Sequence, residues 1–284
     1  MNEITIRVPG TSANFGPGYD CLGIALALYN RITVRRGGPA QNHVMASDAA
    51  ARFFAAAHVP PFAFNFHIEG EVPEARGLGS SVTVRLGILT GLNELSGRPL
   101  NREQIFGLSA QLEGHPDNAA PASFGGFTIA RVEGPPVRCD VDPTVQFVLL
   151  VPDFEISTPA ARAVLPAEIA HREAADSLAN ACRITAAFCL RQYDLLRGSF
   201  RDRLHQPYRE PLMPMLPKVI AAGEKAGALG GFLSGSGSTI CCVTLASAER
   251  VAEAMLSAGT KGARTIITTA DNEGCRAISN EAHD

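Results

Sequence analysis

The segment Pro73-Glu74-Ala75-Arg76-Gly77-Leu78-Gly79-Ser80-Ser81 runs directly into a mostly apolar stretch, Val82 to Leu89. Two glycines separated by one residue free the backbone for tight turns and for close approach to a ligand. The two serines stand where a helix N-cap belongs, just before the apolar run. Unpaired N–H groups, the positive end of a helix dipole and two hydroxyls would then meet at one point, which suits a phosphate. The alternative is a glycine-rich turn that serine caps.

The glycines of this segment form neither of the two common phosphate-binding motifs. A Walker loop continues with Gly-Lys-Ser/Thr, and the dinucleotide fingerprint places a third glycine at a fixed offset. The segment has neither feature. What it binds therefore has to be inferred from the other polar segments of the chain.

Composition argues against several classes of protein. The chain has 284 residues and a formal net charge of −3, with 46% hydrophobic and 19% charged residues. A chain of this length can form one or two domains around a large core. It contains no block of basic residues interleaved with aromatic ones, so we expect no nucleic-acid partner. No apolar run reaches the roughly 18 residues of a membrane-spanning helix, so we expect no membrane insertion.

The N-terminus and the cysteines indicate a cytoplasmic protein. Residues Met1 to Val8 alternate as a strand does and do not form a signal peptide. The seven cysteines include no CxxC pair, and Cys241 and Cys242 are adjacent within a strand-like run. We therefore expect the cysteines to be small buried apolar residues of a protein in the reducing cytosol.

Hydrophobic periodicity and turn signals predict an α+β fold. The predicted helices cover residues 45–58, 82–89, 101–113, 159–166, 168–197, 212–226 and 248–256. The predicted strands cover residues 4–8, 31–34, 62–68, 126–132, 146–151, 229–233, 239–245 and 264–269. Residues 9–20 should form a long turn-rich loop between strands. A strand ends near Pro152, where the composition becomes more polar, and this predicts domains over residues 1–152 and 153–284.

Three further segments concentrate polar residues. Asn14 and Asp20 flank a Gly-Pro-Gly sequence at residues 16–18, where they either contact a ligand or only make turns. A helix end with a proline-stopped turn explains the glycine and proline of Glu113-Gly114-His115-Pro116-Asp117-Asn118, but not its four polar side chains. The glycine- and serine-rich residues 234–239 form either a second ligand loop or a tight hairpin.

Together the four segments resemble the homoserine kinases of the GHMP kinase superfamily, in the same order and over essentially the whole chain. They correspond to the opening motif (residues 8–23, VPGTSANFGPGYDCLG), the phosphate loop (77–81), the Glu-Gly-His-Pro-Asp-Asn signature (113–118, with Ala-Pro at 120–121 and Gly-Gly at 125–126) and the third motif (234–239). A lone Gly-x-Gly-Ser-Ser sequence would be weak evidence, whereas four ordered motifs are specific.

The resemblance implies a GHMP kinase fold, with an N-terminal domain like ribosomal protein S5 and a ferredoxin-like C-terminal domain. It also implies an enzyme that uses ATP and Mg²⁺ to phosphorylate the side-chain hydroxyl of L-homoserine in threonine biosynthesis, and that forms a homodimer. Two alternatives stay open. One is a GHMP kinase that acts on another small hydroxylated acid, and the other is a catalytically silent relative that binds a metabolite or a partner.

The resemblance assigns individual residues to these ligands. The ATP site comprises the phosphate loop and its neighbours, namely Pro73, Arg76, Gly77, Leu78, Gly79, Ser80, Ser81 and Val82. Mg²⁺ is assigned to Ser81 and Glu113. The L-homoserine site comprises Asn14, Asp20, His115, Arg162 and Arg209. The residues assigned to catalysis are Glu113, Asp117, Asn118 and Thr158.

The chemistry of an amino-acid substrate agrees with this assignment. Its ammonium group needs a carboxylate such as Asp20, and its carboxylate needs planar, bidentate guanidinium groups such as those of Arg162 and Arg209. Without the resemblance, either arginine would be interpreted as a solvated surface charge. The presence of a general base is left open, because Asp117 is the nearest candidate but the γ-phosphate can itself take the hydroxyl proton.

Three features depart from the pattern of the family. Ser238 stands where the third motif usually has proline, which puts the rigidity of that loop in question. Thr83 and Arg85 stand where the helix after the phosphate loop usually carries small apolar residues. Gly10 replaces a common alanine. None of these changes removes a group that the resemblance assigns to a ligand.

Overall fold

The computed structural model describes residues 2–39, 41–132 and 134–278. Its strands are β1 (Glu3–Ala13), β2 (Leu22–Arg36), β3 (Phe64–Gly70), β4 (Phe127–Ile129), β5 (Val137–Cys139), β6 (Gln146–Val151), β7 (Gly230–Leu233), β8 (Ile240–Thr244), β9 (Arg264–Thr269) and β10 (Arg276–Ile278). Its helices are α1 (Val44–Ala57), α2 (Ser80–Leu95), α3 (Arg102–Glu113), α4 (Ala119–Phe124), α5 (Thr158–Ala163), α6 (His171–Cys189), α7 (Gln206–Arg209), α8 (Leu216–Lys225) and α9 (Ala248–Ala258). The first predicted domain begins at Met1, and the second ends with residues 279–284. These residues lie outside the described part of the chain.

Two antiparallel sheets organise the chain. In the first sheet the strand order is β10-β1-β2-β4-β5, and β3 pairs with another part of β2. In the second sheet the order is β7-β8-β6-β9. The predicted α+β class is confirmed. β6 precedes residue 152 yet pairs in the second sheet, and β10 returns to the first, so the division into residues 1–152 and 153–284 stays a prediction.

Helices cover one face of each sheet, and a shared core fills the space between the sheets. Helices α1, α2 and α3 pack on the first sheet, and α8 and α9 pack on the second. Successive side chains of a strand point to opposite faces. β6 therefore supplies Phe147 and Leu149 to the shared core, and Val148 and Leu150 to the cluster under α8 and α9.

The centre of the shared core is an aromatic residue of the first loop. Phe15 stacks on Phe232 of β7, with 4.6 Å between the ring centroids. It meets Phe127 of β4 and Phe188 of α6 edge to face, at 5.4 and 5.5 Å. All four rings are fully buried. The first loop is thus anchored on a ring that contacts both sheets and α6.

The first strand is longer than the sequence predicts. The prediction of a loop over residues 9–20 is wrong for residues 9–13, which remain in β1. Pro9 pairs with Tyr29 of β2. After an irregularity between Pro9 and Gly10, residues 10–13 pair with Gly23 to Leu26 of β2. Pairing with a long neighbouring strand thus overrides the local turn signals.

The sixth helix is shorter than the sequence predicts. The prediction of one helix over residues 168–197 is wrong beyond Cys189, where α6 ends. Arg191 adopts a left-handed φ of 55°, which reverses the chain. Tyr193 and Leu196 follow in a short 3-10 turn and are buried in the shared core. Burial of these two side chains favours the turn over a continued helix.

The expectation for the cysteines is confirmed only in part. Cys241 and Cys242 are fully buried in β8, as expected, but Cys182 is exposed. Cys139 in β5 and Cys189 at the end of α6 form a disulfide, with 5.5 Å between their Cα atoms. A pair separated by 50 residues has no local signal in the sequence, because only folding brings β5 and α6 together.

The helices give no candidate for a membrane span. Within the described part of the chain, none is both long enough and apolar enough to cross a bilayer. α6 has 19 residues, but it carries charged residues along its length.

The aromatic centre of the core leads to a stability prediction. Phe15→Ala should lower the free energy of unfolding by about 3–5 kcal/mol, because it removes a fully buried ring from a site with three aromatic neighbours. Phe64→Ala, at a partly exposed position of β3, is the matched control and should cost less. Urea denaturation of both variants measures the two values. A loss below about 1 kcal/mol for Phe15→Ala would contradict its central place in the core.

Candidate active site

Three loops meet around a cavity of about 600 Å³. They are the first loop (residues 14–21), the phosphate loop (residues 73–79) and the glycine loop (residues 234–239). The lining also includes the start of α2, the end of α3 with the segment after it, α5 with the segment before it, and single residues of α1, β2, β3 and α7. The cavity therefore collects residues from all four sequence segments that concentrate polar groups.

The phosphate loop and the glycine loop contact each other through hydrogen bonds to backbone carbonyls. Thr239 N–H donates to the Arg76 carbonyl at 3.1 Å, and the Ser234 hydroxyl donates to the Gly77 carbonyl at 2.7 Å. Ser12 completes the contact by bonding the Ser234 hydroxyl at 2.8 Å. A β-carbon added at Gly77 would lie 2.2 Å from the Ser234 carbonyl oxygen. Only glycine allows the phosphate loop and the glycine loop to approach so closely.

The start of α2 differs from its prediction in one detail. Ser80 and Ser81 are the first two residues of the helix, and Gly79 is the N-cap, with a left-handed φ of 69°. The prediction that the serines cap the helix is therefore wrong. Gly79 supplies no side-chain cap to the first N–H groups of α2, so these groups are available to a ligand. The Ser80 hydroxyl accepts from the Ala75 N–H at 3.3 Å.

The residues predicted to bind ATP divide into two groups. Five of them line the cavity, namely Gly77, Gly79, Ser80, Ser81 and Val82. The others support the loop from behind: Leu78 is buried in the shared core, and Arg76 donates to the carbonyls of Pro152 and Asp153 at 3.1 Å each. Pro73 is partly buried just before the loop.

Glu113 joins the end of α3 to the start of α2. The helix ends there because Gly114 follows with a left-handed φ of 80°. The Ser81 hydroxyl donates to Glu113 Oε2 at 2.9 Å, and Arg85 forms an ion pair with Oε1. Ser81 and Arg85 lie one turn apart on α2, so they face Glu113 together. The two residues predicted to hold Mg²⁺ are thus hydrogen-bonded to each other. Arg85 joins them in the site, although the family resemblance assigns it no ligand.

The signature after α3 forms a connected hydrogen-bond network. His115 Nδ1 and Asp117 Oδ1 are 2.8 Å apart, and Thr11 donates to Asn118 Oδ1 at 2.6 Å. The hydrogen bond to Asp117 raises the pKa of His115 above its usual 6.5, against the opposing effect of burial. This corner can also hold a cationic group, because one side-chain oxygen or nitrogen from each of Asp20, His115 and Asp117 lies within 4.8 Å of the other two.

An ion pair joins the first loop to α5. The Arg162 guanidinium of α5 donates to both carboxylate oxygens of Asp20, at 2.8 and 3.1 Å, and to the Tyr19 hydroxyl at 2.8 Å. Asn14 holds the loop in place, because its Oδ1 accepts from the Asp20 N–H and its Nδ2 donates to the Gly235 carbonyl, both at 2.9 Å. The residues predicted for the two ends of an amino acid are thus bound to each other.

Arg209 is almost fully buried but still reaches the cavity wall, with 2% of its surface exposed. Its guanidinium donates to the carbonyls of Ala161 and Gly235 at 3.0 Å each, and to His205 Nδ1 at 3.1 Å. His205 Nε2 donates to the Gly16 carbonyl at 2.8 Å. Burial lowers the pKa of His205 to about 4, so the ring is neutral at physiological pH and can accept from the arginine.

The glycine loop reaches α5 through hydroxyl groups. Thr158 and Ser236 are 3.3 Å apart at their hydroxyl oxygens, and both line the cavity. The Ser238 hydroxyl donates to the Phe154 carbonyl at 2.6 Å. This bond ties the loop to the segment before α5. The serine at position 238, where the family usually has proline, thus holds the glycine loop in place through this hydrogen bond.

Several residues of the site are absent from the sequence-based assignment. They include the polar Tyr19, Arg85, His205 and Ser236, and the apolar Met45, Ile68, Val84 and Leu112. Ser236 lies in a segment that the motifs identify, and Arg85 departs visibly from the family pattern. His205 and the apolar residues have no local signal, because only the packing of distant elements brings them to the cavity.

The chain matches two parts of one family. Residues 42–126 match the GHMP kinases N terminal domain, and residues 184–261 match the GHMP kinases C terminal domain. The chain is 39% identical to a homoserine kinase from Deinococcus radiodurans over 84% of this chain and 83% of that protein. It is 36% identical to a homoserine kinase from Moorella thermoacetica over 89% of this chain and 91% of that protein.

Solved structures share the fold. A homoserine kinase from Cytophaga hutchinsonii superposes with a TM-score of 0.89 at 23% identity, covering 98% of each chain. A mevalonate kinase from Methanococcus jannaschii superposes with a TM-score of 0.71 at 14% identity, covering 98% of this chain and 99% of that one. At these identities the likeness concerns the fold. It confirms the expected architecture.

The raised pKa of His115 leads to a pH-dependent stability prediction. A histidine whose pKa is raised by folding contributes stability that is fully present below its unfolded pKa, about 6.5, and that is lost as pH rises through its folded pKa. His115→Gln should therefore lower the free energy of unfolding more at about pH 6 than at about pH 9. Urea denaturation at both pH values measures the difference.

The control for this prediction removes the partner of the histidine. In an Asp117→Asn background, His115→Gln should lose most of its pH-dependent effect, because the hydrogen bond that raises the pKa is gone. An equal effect of His115→Gln at both pH values in the otherwise wild-type chain would show that Asp117 does not favour the charged ring.

Proposed function

The chain belongs to the homoserine kinase family of the GHMP kinases, and we propose that it transfers the γ-phosphoryl group of ATP to the side-chain hydroxyl of L-homoserine. The products are O-phospho-L-homoserine and ADP, and the reaction belongs to threonine biosynthesis. The observation that carries the proposal is the Asp20–Arg162 ion pair in the wall of the cavity that the phosphate loop also lines. A carboxylate and a guanidinium at that place suit the ammonium and the carboxylate of an amino acid.

The energetics favour exchange of this ion pair for a zwitterion. The side chains of Asp20 and Arg162 are 32% and 38% exposed, so their pair contributes only about 0–1 kcal/mol. Hydrogen bonds from a charged group to a bound substrate contribute about 1.5–3 kcal/mol each. An amino acid can bind Asp20 through its ammonium group and Arg162 through its carboxylate. The free energy of these hydrogen bonds therefore exceeds the free energy lost when the ion pair breaks. A ligand with only one charged end leaves the other residue without a partner.

ATP fits the other half of the cavity. Free N–H groups at the start of α2, the backbone of Gly77 and Gly79, and the hydroxyl of Ser80 suit the phosphates. The apolar part of the lining suits the purine base, with Met45, Ile68, Val84 and Leu112 as its members. These two parts together suit a nucleotide better than a free phosphate.

Glu113 and Ser81 are the residues that would hold Mg²⁺. Their carboxylate and hydroxyl oxygens are 2.9 Å apart at the cavity wall, and oxygen atoms are the ligands that Mg²⁺ prefers. Bound there together with ATP, the ion would neutralise part of the negative charge of the phosphates during transfer. Arg209 and Arg162 lie on the amino-acid side and orient the substrate rather than the phosphates.

The transfer itself asks mainly for positioning. The homoserine hydroxyl oxygen forms a bond to the γ-phosphorus while the bond to the bridging oxygen of ADP breaks. Asp117 is nearly buried, and its Oδ1 already accepts from His115 and, at 3.4 Å, from Asn118. Because these partners already occupy Oδ1, we assign Asp117 to shaping the pocket and not to proton transfer. The hydroxyl proton then passes to a γ-phosphate oxygen, while Thr158 and Asn118 lie beside the reacting groups.

Two other interpretations receive less support. A catalytically silent relative would not need the charged pairs, the hydroxyls and the free N–H groups that surround the cavity. A kinase for a hydroxylated acid without an amino group would leave Asp20 unpaired. The homodimer implied by the family resemblance stays a prediction.

A substrate panel tests the proposed function. An assay of ADP release with L-homoserine, L-serine, L-threonine, mevalonate and galactose should give the highest kcat/KM for L-homoserine. 4-Hydroxybutyrate, which lacks the amino group, should be turned over poorly because it cannot pair with Asp20. A higher kcat/KM for mevalonate or for the sugar would overturn the substrate assignment.

Variants separate the amino-acid half of the site from the nucleotide half. Arg209→Leu removes charge-assisted contacts worth roughly 1.5–3 kcal/mol, so KM for L-homoserine should rise about tenfold or more while KM for ATP barely changes. Ser80→Val should do the reverse, because a branched side chain crowds the phosphates. Steady-state kinetics with each substrate varied in turn measures both constants.

Thermal melting controls for misfolding in these variants, since Arg209 also bonds two carbonyls of the fold. If folded Arg209→Leu weakened ATP and left L-homoserine unchanged, the two halves of the site would have to be exchanged.

A further inference from the structure

Arg85 occupies an unusual place in the nucleotide half of the cavity. It lies on α2 one turn after Ser81, lines the cavity, and forms an ion pair with Glu113 Oε1. The Glu113 side chain is only 8% exposed and that of Arg85 only 19%. A cation therefore already sits on the carboxylate that would hold Mg²⁺.

The charges around Glu113 are balanced without any ligand. Ser81 occupies Oε2 and Arg85 occupies Oε1, so both carboxylate oxygens have partners. A divalent ion that binds Glu113 must displace the guanidinium or share the carboxylate with it. Two positive charges a few ångströms apart in a mostly buried site repel each other strongly. Arg85 thus opposes binding of free metal ions to the enzyme.

The ion pair is not fully satisfied as it stands. Arg85 Nε is buried and has no hydrogen-bond partner among the described residues. A buried donor without an acceptor costs free energy, so the guanidinium gains from a further acceptor nearby. The acceptors that would enter this part of the cavity are phosphate oxygens, beside Ser80 and Ser81. Guanidinium groups bind phosphate through two parallel hydrogen bonds.

We propose that Arg85 is a cationic residue of the nucleotide site, which neutralises Glu113 in the free enzyme and turns to the nucleotide phosphates when the metal ion takes the carboxylate. The inference rests on the proposed function, because it takes the ligand to be ATP or ADP. The triphosphate brings about four negative charges, which attract both the metal ion and Arg85. The exchange makes tight metal binding depend on the nucleotide, so the enzyme takes up the metal–nucleotide complex and not the free ion.

The proposal predicts opposite effects of one substitution on two ligands. Arg85→Met keeps the length of the side chain and removes its charge. Nucleotide-free Arg85→Met should bind Mn²⁺, the probe for Mg²⁺, about tenfold more tightly than the wild type, as measured by electron paramagnetic resonance of the free ion. The same variant should bind ADP about tenfold more weakly in excess EDTA, as measured by isothermal titration calorimetry, because a phosphate contact is lost.

Two control variants define the interpretation. Arg98 forms an ion pair with Glu94 near the C-terminal end of α2, with 2.8 Å between Nε and Oε2, and lies outside the cavity. Arg98→Met should therefore change neither the Mn²⁺ nor the ADP dissociation constant. Glu113→Gln should abolish Mn²⁺ binding to the nucleotide-free enzyme. It should leave ADP binding in EDTA unchanged or tighter, because Arg85 is released from its carboxylate. Arg85→Lys keeps the charge and should fall between wild type and Arg85→Met for both ligands.

The outcomes are distinct. Tighter binding of Mn²⁺ together with weaker binding of ADP by Arg85→Met supports the proposed exchange. Unchanged constants, or weaker binding of both ligands in a variant that melts like the wild type, overturn it and leave Arg85 as a structural residue. If Arg85→Met does not fold, the same two measurements on Arg85→Lys decide in the same way. Wild-type protein that binds no ADP at all would instead overturn the proposed function.

Discussion

Gly77 lies so close to Ser234 that a β-carbon at position 77 would be only 2.2 Å from the Ser234 carbonyl oxygen. This contact brings the phosphate loop, which leads into α2, against the glycine loop between β7 and β8. Phe15 anchors the first loop in the core that the two sheets share. The site is therefore built where three chain segments are fixed relative to one another, and its charged side chains inherit that fixed geometry.

In this fixed frame, the charged groups of the ligand-free site are paired with each other. Arg162 binds Asp20, Arg85 binds Glu113, and Arg209 is held by carbonyl groups and the neutral His205. Charges that are paired in advance stay in position and do not have to be desolvated again when a ligand arrives. A ligand that binds must offer the same charges in the same places. We infer that this exchange, rather than an empty charged pocket, selects a zwitterionic acceptor and a metal–nucleotide donor.

The sequence predicts which segments meet but not how their side chains are arranged. The four motifs concentrate residues that local structure alone does not explain, and they identify much of the polar cavity lining, including Asp20 and Glu113. Arg162 lies outside these motifs and is assigned to the site only by the family resemblance. The pairing of Asp20 with Arg162 spans 142 residues and depends on how the sheets pack. The same is true of His205 beside Arg209 and of the disulfide between Cys139 and Cys189. Boundaries such as the N-cap at Gly79 depend on φ values that no pattern of hydrophobicity reveals.

The central claim is that the amino-acid substrate replaces the Asp20–Arg162 ion pair. The most direct measurement is a crystal structure of the protein with L-homoserine and a non-hydrolysable ATP analogue. The account predicts that the hydrogen bonds of 2.8 and 3.1 Å between these two side chains are broken, with the ammonium group on Asp20 and the carboxylate on Arg162. An intact ion pair, with L-homoserine bound elsewhere in the cavity, would contradict it.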